Sequence, residues 1–336
     1  MNFDQAAIRA VPTNIITGFL GVGKTTAILH LLKNKPANER WAVLVNEFGE
    51  IGVDGSLFEG RHSKEEGVFI REIPGGCMCC AAGLPMQVAL NELLSRAKPD
   101  RLLIEPTGLG HPEEVLQVLS AEHYQDALSL QKVLTLVDAR KLSDPRYTTH
   151  DIFKQQIAIA DVVVGNKTDL YQAMHKPLLE EYFADNASPG SRVVFTQNSE
   201  ISIDVLDGAT TALATINEAH HHHHASQQKP LLSEQPFPDV GYLKALNHGE
   251  GFESVGWRFS AKHVFDYKKL FDMLSNINAN RMKAVFITNK GVFAYSLTTD
   301  GLTEMALTKC TESRIEIISE SLNTNWENQL IDCITS

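Results

Sequence analysis

Cysteine is scarce in this chain, at five residues in 336, which excludes a scaffold built on disulfides. No apolar run reaches the length a membrane-spanning helix needs. Basic excess is missing as well. Lys and Arg number 30 against 41 Asp and Glu, a net charge of −11, so no broad cationic surface is available to neutralise nucleic-acid phosphates. The opening residues MNFDQAAIRAVPTN place Asp4 where a secretory leader would carry basic charge, and they hold no apolar segment. A signal peptide is therefore not expected, no membrane partner is expected, and the cytoplasm is the expected compartment.

What is present is an ordinary globular composition, 43% hydrophobic and 21% charged, in a chain long enough for two domains. Short runs rich in Val, Ile and Leu recur at 14–17, 41–46, 101–105, 132–138, 161–166 and 192–196. They alternate little, as strands covered on both faces do. Helical patterns fall between most of them, at 25–33, 84–96, 112–119 and about 153–160. The expected fold is α/β, a P-loop NTPase type of mostly parallel sheet with helices on both faces, over residues 1–207. Residues 208–238 hold His220–His224 and three prolines and read as a His-rich linker. Residues 239–336 read as a smaller α+β domain, with strands at 254–260, 284–288, 292–297 and 314–319. Helices are expected there near 264–274 and 325–334, and Asn289-Lys290-Gly291 as a hairpin turn.

Directly after the first strand stands Gly18-Phe19-Leu20-Gly21-Val22-Gly23-Lys24-Thr25-Thr26, which matches G-x-x-x-x-G-K-[ST]. Such a loop wraps a phosphate chain with backbone amides. Lys24 would reach the β- and γ-phosphates and Thr25 would offer its hydroxyl to Mg²⁺, at the positive end of the following helix. The strand at 161–166 runs into Asn166-Lys167-Thr168-Asp169, an N-K-x-D signal. A carboxylate at Asp169 can accept from guanine N1–H and the exocyclic amine, which adenine cannot match. Asn166 would support the loop and the base edge, and the Lys167 stem would cover the ring. The nucleotide expected is GTP. Between these motifs Glu105-Pro106-Thr107-Gly108 ends a strand. Glu105 is placed to hold Mg²⁺, and Gly108 to bring a backbone amide to the γ-phosphate.

Three of the five cysteines, Cys77, Cys79 and Cys80, lie within four residues. In a reducing compartment such a cluster reads first as a metal seat, because Zn²⁺ takes thiolates tetrahedrally. A fourth ligand must come from elsewhere, and Asn46-Glu47-Phe48-Gly49-Glu50 offers Glu47 and Glu50. Cys77 and Cys80 also satisfy the C-x-x-C of a redox pair, but without the thioredoxin-like surroundings. Simple packing is the third reading. Cys310 and Cys333 stand alone and read as small buried apolar residues. His220–His224 is either a loose metal-binding tract or a solvated loop.

With GFLGVGKTT, NEFGE, GGCMCC, EPTG and NKTD in that order, the chain resembles the CobW family of metal-homeostasis P-loop GTPases, and within it a zinc-binding branch. The resemblance implies a C-terminal domain of the CobW type and slow hydrolysis of GTP to GDP and phosphate. It also implies Zn²⁺ held by Cys77, Cys79 and Cys80, and a metallochaperone that delivers metal to a client protein. Some relatives carry a glutamate just before the Asn of NEFGE, where this chain has Val45, so Glu50 is the carboxylate candidate. Asp54 is the candidate for orienting the attacking water. The expected partners are GTP and GDP, a metal-requiring client and, through shared metal, a second copy of the chain. Two rivals remain open: a passive zinc buffer with a structural nucleotide site, and a small-molecule kinase on the same P-loop.

Overall fold

The structure, a computed structural model, describes residues 10–47, 67–74, 84–187, 190–213, 236–249, 252–308 and 310–335. Contacts cluster into two compact units. The described residues hold fourteen strands and eight α-helices.

The first unit is built on an eight-stranded sheet. Its strands are β1 (Val11–Gly18), β2 (Trp41–Glu47), β3 (Val68–Pro74), β4 (Arg101–Glu105), β5 (Leu128–Leu130), β6 (Leu134–Val137), β7 (Val162–Gly165) and β8 (Arg192–Phe195). They lie in the order β3-β2-β4-β1-β6-β7-β8, with β5 paired to the start of β1. The β1–β4, β1–β6, β2–β4, β6–β7 and β7–β8 pairs are all parallel. The mostly parallel α/β sheet expected from the apolar runs is present. LTLV of β6 and VVVG of β7 are buried at every position, which explains the absence of alternation.

Helices α1 (Lys24–Asn34), α2 (Leu84–Ala97), α3 (Pro112–Leu119), α4 (Pro145–Thr148), α5 (Asp151–Ala158) and α6 (His175–Asn186) lie among the strands. Helix α1 buries Ala27, Ile28, Leu31 and Leu32, one stripe of a 3.6-residue period. Helix α3 begins on Pro112, with Glu113 and Glu114 in its first turn. The proline matches the helical φ, and the two carboxylates favour the positive end of the helix.

Two side chains tie later segments onto this sheet. Asn14 donates to the carbonyls of Lys132 and Leu206 at 2.9 and 2.7 Å. The buried carboxylate of Asp161 accepts from Val133 N, Thr210 Oγ1, Thr211 N and Thr211 Oγ1 at 2.6–2.8 Å. Gly208 N donates to Gln131 Oε1 at 3.1 Å. Residues 208–212, assigned to the linker on composition, are therefore hydrogen-bonded into the first unit, while His220–His224 lies outside the described residues.

The second unit carries a six-stranded antiparallel sheet, β13-β12-β11-β14-β10-β9. Its strands are β9 (Tyr242–Gly249), β10 (Phe252–Ser260), β11 (Arg281–Thr288), β12 (Gly291–Thr298), β13 (Gly301–Leu307) and β14 (Glu312–Ser319), with helices α7 (Tyr267–Ser275) and α8 (Trp326–Asp332). Trp257, Phe259, Phe265, Phe286, Ile315 and Trp326 form its main core with Leu270 of α7 and Leu330 of α8. Thr288 pairs with Gly291 across the β11–β12 hairpin, so the turn is Asn289–Lys290 and Gly291, at φ 128°, opens the next strand. Cys333 is buried in this core, and burial pushes its thiol up to about 11, which makes it a packing residue. Cys310 is half-buried against a smaller cluster of Ala245, Val285 and Ala294.

Candidate nucleotide site

β1 delivers its carboxyl end between β4 and β6, where strand order reverses, the place at which open α/β sheets bind ligands. The next residues turn sharply. Gly18 sits at φ 141°, and a Cβ there would lie 2.4 Å from the Leu136 carbonyl oxygen. Gly23 sits at φ 103° as the N-cap of α1, and its Cβ would meet Asn166 Nδ2 and Ser199 Oγ at 2.6 Å. Only glycine fits either place. Gly21 also has positive φ, at 73°, Val22 is buried beneath the loop, and Phe19 packs edge-on to Tyr147 and His150 with ring centroids 5.0 Å away.

Lys24 is buried and folds back over the loop, donating from Nζ to the carbonyls of Gly18 at 2.8 Å and Phe19 at 3.2 Å. Thr25 Oγ1 donates to Glu105 Oε1 at 2.9 Å, and both residues are buried. A hydroxyl and a carboxylate side by side are hard oxygen donors, the kind Mg²⁺ takes. Thr26 is exposed. Gly108 comes close on the other side: a Cβ there would be 2.9 Å from Lys24 Nζ. The structure thus brings Gly18–Thr25, Glu105 and Gly108 together at one sheet edge.

The N-K-x-D residues lie at the carboxyl end of β7. Asn166 is buried, and its Nδ2 donates to Val22 O at 2.8 Å and to Ser199 Oγ at 2.7 Å, while its Oδ1 accepts from Ser199 N at 3.0 Å. Lys167 adopts a left-handed backbone at φ 63°, and its Nζ lies 3.7 Å from Asp138 Oδ2. Asp169 is exposed on the following turn and bonds to none of the described residues.

Ser199 was not anticipated. It follows β8 in the left-handed conformation, at φ 58°, and donates from Oγ to Gly23 O at 3.2 Å. The only sequence signal for it is position, a small polar residue just past the end of a parallel strand. Gln155 and Gln156 were also missed. Gln156 Nε2 donates to Gly108 O at 3.1 Å, and Gln155 Oε1 pairs with His111 Nδ1 at 3.0 Å. Cys77, Cys79, Cys80, Glu50 and Asp54 lie outside the described residues. Among the described residues, no group of three or more His, Cys, Asp or Glu is placed to hold a metal ion. No helix there is long and apolar enough to cross a membrane.

The profile of the CobW/HypB/UreG nucleotide-binding domain matches residues 12–193. The chain belongs to this family. It is 40% identical over 316 residues to the Escherichia coli protein named zinc chaperone YeiR, an alignment covering 94% of each chain. It is 30% identical over 224 residues to zinc chaperone CobW of Pseudomonas aeruginosa, covering 59% of this chain and 60% of that one. Among solved structures it is similar to the Zn(II)-bound YjiA GTPase from E. coli, at 20% identity and a TM-score of 0.43, covering 96% of this chain and 99% of that chain.

Proposed function

We propose that this CobW/HypB/UreG member is a zinc chaperone that binds GTP, hydrolyses it to GDP and phosphate, and couples that cycle to delivery of Zn²⁺ to a client protein. One observation carries the nucleotide half. Asn166 hydrogen-bonds the N-K-x-D loop to the carbonyl of Val22 in the phosphate loop, so the groups suited to the two ends of one guanine nucleotide are tied directly to each other. The metal half is supported by 40% identity to a protein named zinc chaperone and by the C-x-C-C spacing of Cys77, Cys79 and Cys80.

In this reading the amides of Gly18–Thr26 cradle the phosphates, and Lys24 leaves the Gly18 and Phe19 carbonyls for the β- and γ-phosphates. Thr25 and Glu105 hold Mg²⁺, whose charge offsets that on the phosphate oxygens when it is bound. Gly108 presents its amide to the γ-phosphate. Asp169 accepts from guanine N1–H and the exocyclic amine, Lys167 covers the ring, and Asp54 orients the attacking water.

Zinc, as cargo, sits on Cys77, Cys79, Cys80 and Glu50. Val45 of β2 is the register partner of Glu105 of β4, so Glu50 follows five residues after a position beside the Mg²⁺ carboxylate. The cysteines begin three residues after β3 ends at Pro74, and β3 is the neighbour of β2. Short tethers of this kind let the nucleotide state bias how the zinc ligands gather.

Zinc titration of the whole chain with GTPγS, with GDP and without nucleotide tests the proposal. Zinc affinity is expected to differ between the GTPγS and GDP forms by about tenfold, within the usual range of coupling between sites. Equal affinity in all three forms would leave only a passive buffer. Exchange of Cys77 and Cys79 for alanine should weaken zinc binding while guanine-nucleotide binding persists.

A further inference from the structure

We propose that Gln156 is a positioning residue that sets the Gly108 peptide for a nucleoside triphosphate and thereby separates GTP from GDP. The inference rests on the reading of Gly108 as the amide that meets the γ-phosphate.

Gln156 lies on α5 and is completely buried. Its backbone carbonyl accepts from Thr135 Oγ1 of β6 at 2.7 Å, which pins this turn of the helix to the strand beside β1. Its side-chain Nε2 donates to the Gly108 carbonyl at 3.1 Å. That carbonyl belongs to the same planar peptide unit as the N–H of Leu109, and Leu109 N donates to Thr107 Oγ1 at 3.1 Å. The Gly108–Leu109 unit is therefore gripped at both poles. The Gly108 amide, in the preceding unit, is then joined to a fixed plane through only the φ and ψ of Gly108, and Lys24 and Leu20 crowd the same residue from the other side. The neighbouring Gln155 holds the far end of the loop, where the Nδ1–H tautomer of His111 donates to its Oε1. Two successive residues of one helix thus hold the middle and the far end of the segment that follows Glu105.

The chemistry of position 156 points the same way. Among the described residues, Gln156 Oε1 has no hydrogen-bond partner, and a buried acceptor left unpaired is destabilising. Leucine or methionine would fill the space without that cost. What glutamine adds is one donor aimed at one carbonyl. A group held in place before the ligand arrives spares the ligand the cost of ordering it, and the γ-phosphate is the part of the nucleotide that would benefit.

The experiment titrates the whole chain with fluorescent GDP and GTPγS, comparing the wild type with Gln156→Met and Gln156→Glu. In Gln156→Met, GTPγS affinity should fall about tenfold, the scale of one lost hydrogen bond, while GDP affinity stays within about twofold. In Gln156→Glu, the carboxylate repels the Gly108 carbonyl, whereas the protonated acid, favoured by burial, donates to it. GTPγS affinity should therefore recover about tenfold between about pH 8 and about pH 6, beyond any change in the wild type over that range. If Gln156→Met does not fold, this pH profile decides alone. Equal loss of GDP and GTPγS affinity, no loss of either, or a flat Gln156→Glu profile beside a normally binding wild type overturns the role of Gln156 only. A wild type that binds no guanine nucleotide overturns the nucleotide reading and this inference together.

Discussion

Asn166 donates a 2.8 Å hydrogen bond from its side chain to the main-chain carbonyl of Val22, joining the loop after β7 to the loop after β1. The two residues are 144 positions apart in sequence. A GKT loop and an N-K-x-D loop are recognised separately, but here they stand as one hydrogen-bonded assembly, with Ser199 as its third member.

Replacing Asn166 with alanine should therefore weaken GDP and GTP binding together. The change strands the buried Ser199 amide and a buried carbonyl, at about 1–3 kcal/mol for each unpaired group. Affinity for both nucleotides is expected to drop about tenfold to a hundredfold, by fluorescence titration. Asp169→Ala should behave differently. That side chain is exposed and bonds to none of the described residues, so stability should stay within about 0.5 kcal/mol. Discrimination between guanine and adenine should collapse.

Glu105 accepts from Thr25 at 2.9 Å inside a buried pair, and a glutamine in its place would keep that shape while removing the charge. Glu105→Gln is expected to leave nucleotide affinity measured without Mg²⁺ within about twofold. It should abolish the gain in affinity that Mg²⁺ confers and slow phosphate release by about a hundredfold. Calorimetry with and without Mg²⁺, beside a phosphate assay, checks this. An unchanged Mg²⁺ increment would remove Glu105 from the proposed site.

The parts of this chain that were legible in sequence are those with a strong local signal. β4 ends where the apolar run places it, and α3 begins where Pro112 places it. β6 and β7 are short runs, apolar apart from Thr135 and the closing Gly165, and are buried throughout. Weak signals were missed. β3 carries Arg71 and Glu72 inside VFIREIP, which breaks its apolar pattern. β5 has three residues and joins the sheet through its pairing with β1. Helix α6 buries just Leu179 and Phe183 among its twelve residues, too few to mark a face. β13 alternates along an edge with most of its side chains partly or fully exposed. The site divides in the same way. Lys24, Thr25, Glu105 and Asn166 stand in motifs with fixed spacing, whereas Ser199 and Gln156 reach it only through tertiary packing.

In the second unit, Arg258 of β10 and Arg314 of β14 are direct cross-strand partners, an arrangement that repels unless something sits between them. Glu312 fills that role. It accepts from Arg258 Nε and Nη2 at 2.8 and 2.9 Å and from Arg314 Nε at 2.6 Å. Burial acts to raise the Glu312 carboxyl, but the Arg258 hydrogen bonds and the charges of both arginines outweigh it and hold it below its ordinary 4.5. A carboxyl lowered on folding contributes stability that is complete above its unfolded value and lost as pH falls through the folded one. Glu312→Gln removes the charged acceptor that Arg258 and Arg314 share and should cost about 3 kcal/mol near neutrality. Below about pH 4.5 the stability gap to the wild type should narrow steadily, because the wild type then loses the same charge. Urea unfolding in a Trp41→Phe background reads the second unit alone, since the other two of the chain's three tryptophans, Trp257 and Trp326, both lie in its core. A gap that stays constant through the acid range would mean that the Glu312 charge contributes nothing to holding the two arginines side by side.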